Sequence, residues 1–166
     1  PGRSGAVKSY AWSTLQMQHQ LLGPRFALRY AHDWLVWEPG AWSVPRGNIS
    51  AADTLLPKKQ GPKTPAKGDP LCFVLEQQFS IGRAEGNTLV LSDETVSRHH
   101  CTFEHRDGGW WLQRHPEAKN LTVDGAAIAA SVAVRLMNGQ HIELGQVVLT
   151  YMSAIGLVAR LKAPHG

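Results

Sequence analysis

From Leu71 onward the chain alternates short apolar runs with turn residues, and no helical period intervenes. The runs are Leu71–Leu75, Thr88–Leu91, Cys101–His105, Trp110–Gln113, Val132–Leu136, His141–Leu144 and Val147–Tyr151. Between them stand Asp107-Gly108-Gly109, Asp124-Gly125, Asn138-Gly139 and Gly145, residue types that accept positive φ in tight turns. Strands this short, at this spacing, predict an all-β fold: an antiparallel sandwich around one core. Trp110 and Trp111 are adjacent in a strand, so one faces the core and the other faces away.

The front of the chain reads differently. Residues 10–44 hold four of the six tryptophans, with Tyr10, Phe26 and Tyr30, too much aromatic surface to leave in water. This zone, residues 1–44, is expected to be an extension with little regular structure that packs on the sandwich. Within it, residues from Ser13 to Leu22 read as a short helix with Ser13 or Thr14 as N-cap, ended by Gly23-Pro24, and Trp34–Trp37 as a brief strand. Residues 45–69 interleave Pro45, Pro57, Pro62 and Pro65 with Lys, Gly, Ser and Ala and read as a basic linker. The sandwich domain then occupies 70–163.

Charge sharpens this division. Residues 1–69 hold 9 Lys and Arg against 4 Asp and Glu, whereas residues 70–166 hold 8 against 9, so the net +4 belongs to the front. A nucleic-acid partner would have to use Lys58, Lys59, Lys63 and Lys67 alone, and a solvated linker is the plainer reading. No apolar stretch approaches the ~20 residues needed to cross a bilayer, so no membrane partner is expected and the default location is cytoplasmic. The two cysteines, Cys72 and Cys101, read as buried free thiols.

Two loops stand out at one end of such a sandwich, Ile81-Gly82-Arg83-Ala84-Glu85-Gly86-Asn87 and Val96-Ser97-Arg98-His99-His100. A Gly-Arg pair after the second strand, an Asn before an apolar strand and Ser-x-x-His leading into the next together resemble the forkhead-associated (FHA) domain family. Val123-Asp124-Gly125, near the family's Val-Asn-Gly, and the spacing Leu136-x-x-Gly139-x-x-Ile142-x-Leu144-Gly145 extend the resemblance over about residues 71–162. It implies a sandwich of the FHA type that binds phosphothreonine on a partner protein. It also implies that Arg83, Ser97 and Arg98 contact the phosphate, while Gly82, Asn87, His100, Asp124 and Gly125 structure the loops. Where the family has an Asn that bonds the peptide backbone, alignment on Asp124-Gly125 gives Lys119. A shift by one residue gives Asn120, the preferred candidate.

The residue chemistry points the same way without the family. A phosphothreonine brings about −1.5 to −2 charges and three acceptor oxygens, so its receptor needs charge-assisted donors. Arginine forks match phosphate geometry, and Ser97 adds a hydroxyl. A zinc reading of His99-His100-Cys101 fails because adjacent strand residues face opposite ways, and a hydrolase reading of Ser97 lacks an orienting carboxylate and a Gly-x-Ser-x-Gly elbow. The expectation is therefore an interaction module with no catalytic residue, metal or cofactor. Its partners would be a phosphothreonine protein and the Ser/Thr kinase that supplies it, in signalling or secretion-system regulation. The alternative is a phosphate-independent structural adaptor. Thr54, in Asp53-Thr54-Leu55-Leu56-Pro57, is a candidate phosphosite for self-association or autoinhibition through the chain's own pocket.

Overall fold

The structure, a computed structural model, describes residues 7–37, 70–76 and 78–162. The region read as linker, with Thr54, lies outside these residues. Twelve strands are described: β1 (Ser9–Ala11), β2 (Asp33–Trp37), β3 (Leu71–Leu75), β4 (Phe79–Gly82), β5 (Leu89–Val90), β6 (Cys101–Arg106), β7 (Gly109–Arg114), β8 (Leu121–Val123), β9 (Ala126–Ala127), β10 (Ala133–Arg135), β11 (His141–Leu144) and β12 (Val147–Met152). They form a seven-stranded sheet in the order β1-β3-β2-β12-β11-β8-β9 and a five-stranded sheet in the order β10-β7-β6-β4-β5. Pairing is antiparallel except between β4 and β5, which run parallel. The sandwich is thus of the expected class, with one parallel pair that the turn signals did not announce.

Alternation along the strands places the core. Phe103 and Cys101 of β6 are buried while Thr102 and Glu104 face outward, and Trp110 is buried while Trp111 is half-buried beneath the Arg106 guanidinium, 4.7 Å from its ring. Cys101 and Cys72 are buried free thiols, and burial raises the Cys101 pKa. By contrast, all five residues of β3 are buried, because both of its faces are covered. Leu71, Phe73 and Leu75 point into the inter-sheet core, and Cys72 and Val74 point into a second cluster beneath the helices.

That second cluster explains the aromatic front of the chain. Helices α1 (Trp12–Leu22), α2 (Phe26–Arg29) and α3 (Ala154–Lys162) lie over the outer face of the large sheet. Leu15, Phe26, Tyr30, Trp34 and Leu157 fill the space between. The zone expected to have little regular structure supplies two strands, and β2 is hydrogen-bonded on both edges, to β3 and to β12. Helix α1 begins one residue earlier than expected, and its N-cap is Ala11, with no side-chain cap, rather than Ser13 or Thr14. The Trp12 N–H instead donates to the Pro70 carbonyl at 2.8 Å, so the neighbouring strand satisfies the helix start.

Helix α3 had a legible signal that the strand pattern masked. Ser153 Oγ accepts from the Gly156 N–H at 3.0 Å, an N-cap bond. Asp33 accepts from the Ala154 N–H at 3.0 Å and from the Tyr151 hydroxyl, tying β2 to the start of the helix.

Register also fixes where the long connection between β2 and β3 begins and ends. Trp37 and Leu71 are direct partners, and Trp37 also faces Leu149, two residues into β12. Both ends of the connection therefore sit at the end of the sheet that carries the Gly145–Gln146 turn.

Candidate functional site

Three loops and one hairpin turn converge at that end of the sandwich. They are the β4–β5 loop from Arg83, the β5–β6 loop through Ser97 and Arg98, the β7–β8 loop through Lys119 and Asn120, and the Gly145–Gln146 turn. Together they line a cleft of about 560 Å³, with Arg83, Ser97, Arg98, Lys119 and Asn120 among its walls. All five expected contact residues are thereby brought together.

The first two loops are zipped by their backbones. Arg83 N–H donates to the Ser97 carbonyl at 2.9 Å, Ala84 N–H to the Arg98 carbonyl at 3.1 Å, and His100 N–H to the Ile81 carbonyl at 3.0 Å. The buried Asn87 side chain bonds both loops at once, donating to the Ala84 carbonyl at 2.8 Å and the Arg98 carbonyl at 3.0 Å. Arg83 Nε donates to the Val96 carbonyl at 3.0 Å, which anchors the guanidinium stem. Gly82 is required by close approach: a Cβ there would lie 2.1 Å from the Arg98 carbonyl oxygen and 2.7 Å from Asn87 Nδ2.

His100 joins the second loop to the third. Its Nδ1 accepts from the Ser97 N–H at 3.0 Å, so its Nε2 carries the proton and donates to the Asn120 carbonyl at 2.5 Å. Burial lowers the His100 pKa, a shift opposed by the Asn120 carbonyl and reinforced by Arg114, and this agrees with a neutral ring. Lys119 N–H donates to Ser97 Oγ at 3.3 Å, which leaves the hydroxyl proton free to be given to a ligand. The Arg83, Arg98 and Lys119 side chains are exposed to the cleft, where they can donate to a tetrahedral anion.

Asp124 and Gly125 do not join this cleft. They form the two-residue turn between β8 and β9, with φ of 52° and 84°, at the far end of β8 from Asn120. Asp124 Oδ1 there accepts from the His141 N–H at 2.9 Å. Among the described residues no group of His, Cys, Asp and Glu is arranged to hold a metal ion. His99 is exposed and His100 is buried, and both lie in the loop before β6 rather than in a strand, so strand alternation does not govern them.

Several cleft residues escaped the sequence reading. Glu94, Thr95, Glu117 and Gln146 line the cleft with the cationic set. The signal was the local Asp-x-Thr pattern: Asp93 Oδ1 accepts from the Thr95 N–H at 2.8 Å and its hydroxyl at 2.6 Å, and Thr95 Oγ1 accepts from the Gln146 N–H at 2.9 Å. Partial burial pushes the Asp93 carboxyl up, but the bonds from Thr95 and Gln146 outweigh it and hold its pKa below the ordinary value. Residues 79–82 and 121–123 were also missed as strands, because their sequences read as loops flanking the motifs.

Residues 79–145 match the FHA domain family model. The chain is 30% identical over 74 residues to the FHA domain-containing protein FhaB of Mycobacterium tuberculosis, a match covering 45% of this chain and 46% of that one. It therefore spans about half the length of this curated relative. Among solved structures, the FHA domain of an Arabidopsis thaliana hypothetical protein aligns with a TM-score of 0.50 at 19% identity, over 75% of this chain and 87% of that one. Mycobacterium tuberculosis EmbR, solved in complex with a low-affinity phosphopeptide, aligns with a TM-score of 0.46 at 25% identity, over 57% of this chain and 22% of that one.

Proposed function

We propose that this chain, which carries an FHA domain over residues 79–145, binds phosphothreonine segments of a partner protein in the cleft and acts by recognition rather than catalysis. The observation that carries this reading is the convergence of Arg83, Arg98, Lys119 and the Ser97 hydroxyl on one cleft whose loops are already cross-bonded. Preorganised, charge-assisted donors lose little freedom when a phosphate arrives. Arg83, Ser97 and Arg98 take the phosphate, and Asn120, with Lys119 beside it, holds the peptide backbone. Gly82, Asn87 and His100 keep the loops in place. The partner is made competent by a Ser/Thr kinase, as a signalling or secretion-regulating step would require.

The test is titration of a phosphothreonine peptide library, with phosphoserine and unphosphorylated controls, against the wild type, Arg83→Ala and Ser97→Ala. Phosphate-dependent, threonine-selective binding that weakens about 10- to 100-fold in Arg83→Ala, with folding intact, is expected, since a charge-assisted bond contributes about 1.5–3 kcal/mol. Equal binding of phosphorylated and unphosphorylated peptides would assign the cleft to a phosphate-independent adaptor.

The topology supports one extension of this reading, with Thr54 as a ligand from the chain itself. The connection that contains it starts and ends at the cleft end of the large sheet, beside the Gly145–Gln146 turn. Phosphorylation of Thr54 is then expected to produce self-association or to reduce binding of an added phosphothreonine peptide, and Thr54→Ala to abolish either effect. A phosphorylated chain that stays monomeric and binds the peptide with unchanged affinity overturns it.

A further inference from the structure

The cleft holds two kinds of charge that do not satisfy one another. Glu94 and Glu117 line it together with Arg83, Arg98 and Lys119. Among the described residues, none of these five groups stands in an ion pair. A ligand bringing only negative charge would meet two carboxylates on the walls of the same cleft and lose affinity to them. A ligand bringing both signs would satisfy both sets.

The carboxylates are also carried on backbone that is fixed before any ligand binds. Glu94 lies between Asp93 and Thr95, whose mutual bonds and Gln146 contact clamp the loop to the β11–β12 turn. Gly145 shows how closely the two segments approach, since a Cβ there would lie 2.2 Å from the Thr95 carbonyl oxygen. Glu117 sits in a turn closed by the Ala118 N–H bond to the His115 carbonyl at 2.9 Å, and Arg114 grips the Ala118 carbonyl at 2.6 Å. The Glu117 N–H itself donates to His115 Nδ1 at 3.1 Å.

We propose that Glu94 and Glu117 are specificity-determining residues that select phosphothreonine segments with Lys or Arg close to the phosphothreonine. This inference rests on the phosphothreonine reading of the cleft. The phosphate engages the arginines and Lys119 while the neighbouring cation of the ligand engages the carboxylates. The kinase that supplies such a ligand is one that modifies threonines in basic sequences.

The test uses the full 166-residue chain and phosphothreonine peptides whose flanks are Lys/Arg, Ala or Asp/Glu, with unphosphorylated counterparts. The wild type is expected to prefer basic over alanine flanks by about fivefold, the scale of a solvent-facing ion pair of about 1 kcal/mol. The double variant Glu94→Gln/Glu117→Gln is expected to bind all flanks alike while keeping its phosphate dependence, and Glu94→Lys/Glu117→Lys to favour acidic flanks. Phosphate-dependent binding without a basic preference in the wild type, or a preference that survives in the glutamine variant, overturns the specificity proposal alone. Absence of phosphate-dependent binding by the wild type overturns the phosphothreonine reading with it.

Discussion

The two ends of the sandwich are built on opposite plans. At the end away from the cleft stand two turns of only two residues each. Asp107-Gly108 and Asp124-Gly125 each join two strands with both turn residues at positive φ, and the strand partners on either side are in register. At the cleft end, most of the loops are longer and gain their shape from bonds between distant parts of the chain. Ser97 meets Lys119, His100 meets Asn120, and Thr95 meets Gln146 across 51 residues. One end closes the sheets, and the other holds donors in a geometry that no single loop could maintain.

The sharpest way to break this contrast is substitution at the two kinds of glycine. In Gly82→Ala the new methyl would meet the Arg98 carbonyl and Asn87. A loss of about 3 kcal/mol in urea unfolding is expected, with weakened phosphopeptide binding, because backbone must move. Next in size is His100→Ala, which leaves the Ser97 N–H and the Asn120 carbonyl without their partner. It is expected to cost about 1–3 kcal/mol and to lower affinity as the loops separate, read by urea unfolding and calorimetry.

At the other end, Gly125→Ala meets no atom within 4 Å, so only its φ of 84° opposes the change. About 1 kcal/mol of stability should be lost, with peptide affinity unchanged. The smallest effect is that of pH. His100 has a lowered pKa in the folded chain, so below its ordinary value of 6.5 the unfolded chain takes up a proton that the folded chain resists. Stability contributed by the neutral ring is therefore full above pH 6.5 and declines as pH falls from there. His32, whose pKa burial also lowers despite the nearby Glu76, adds to the global slope in the same direction. The part belonging to the cleft is read from exchange protection of the Ser97 N–H, which should fall as pH drops below 6.5.

The same contrast governs what could be read from sequence. Asp107-Gly108 and Asp124-Gly125 announce their turns in two letters each because the constraint is local. That Arg83, Ser97 and Arg98 lie together was legible through motif order, and the cleft they line is where the loops bring them. The places of Glu94, Glu117 and Gln146 on the cleft wall were not legible, since they depend on which loops meet. β2 was legible as a strand from Trp34 to Trp37, yet nothing local placed it at the centre of a sheet between β3 and β12. The full burial of β3 reads as an apolar run, and only the helical layer explains why its two faces are both covered.

Backbone amide mapping during titration with a phosphothreonine peptide asks directly whether the cleft is where the phosphate binds. Phosphate-dependent shifts concentrated at Arg83, Ser97 and Lys119, with Asp107-Gly108 and Asp124-Gly125 unmoved, are expected. Shifts centred on the Asp124-Gly125 end, or shifts at the cleft that are the same without the phosphate, would contradict phosphate binding in the cleft.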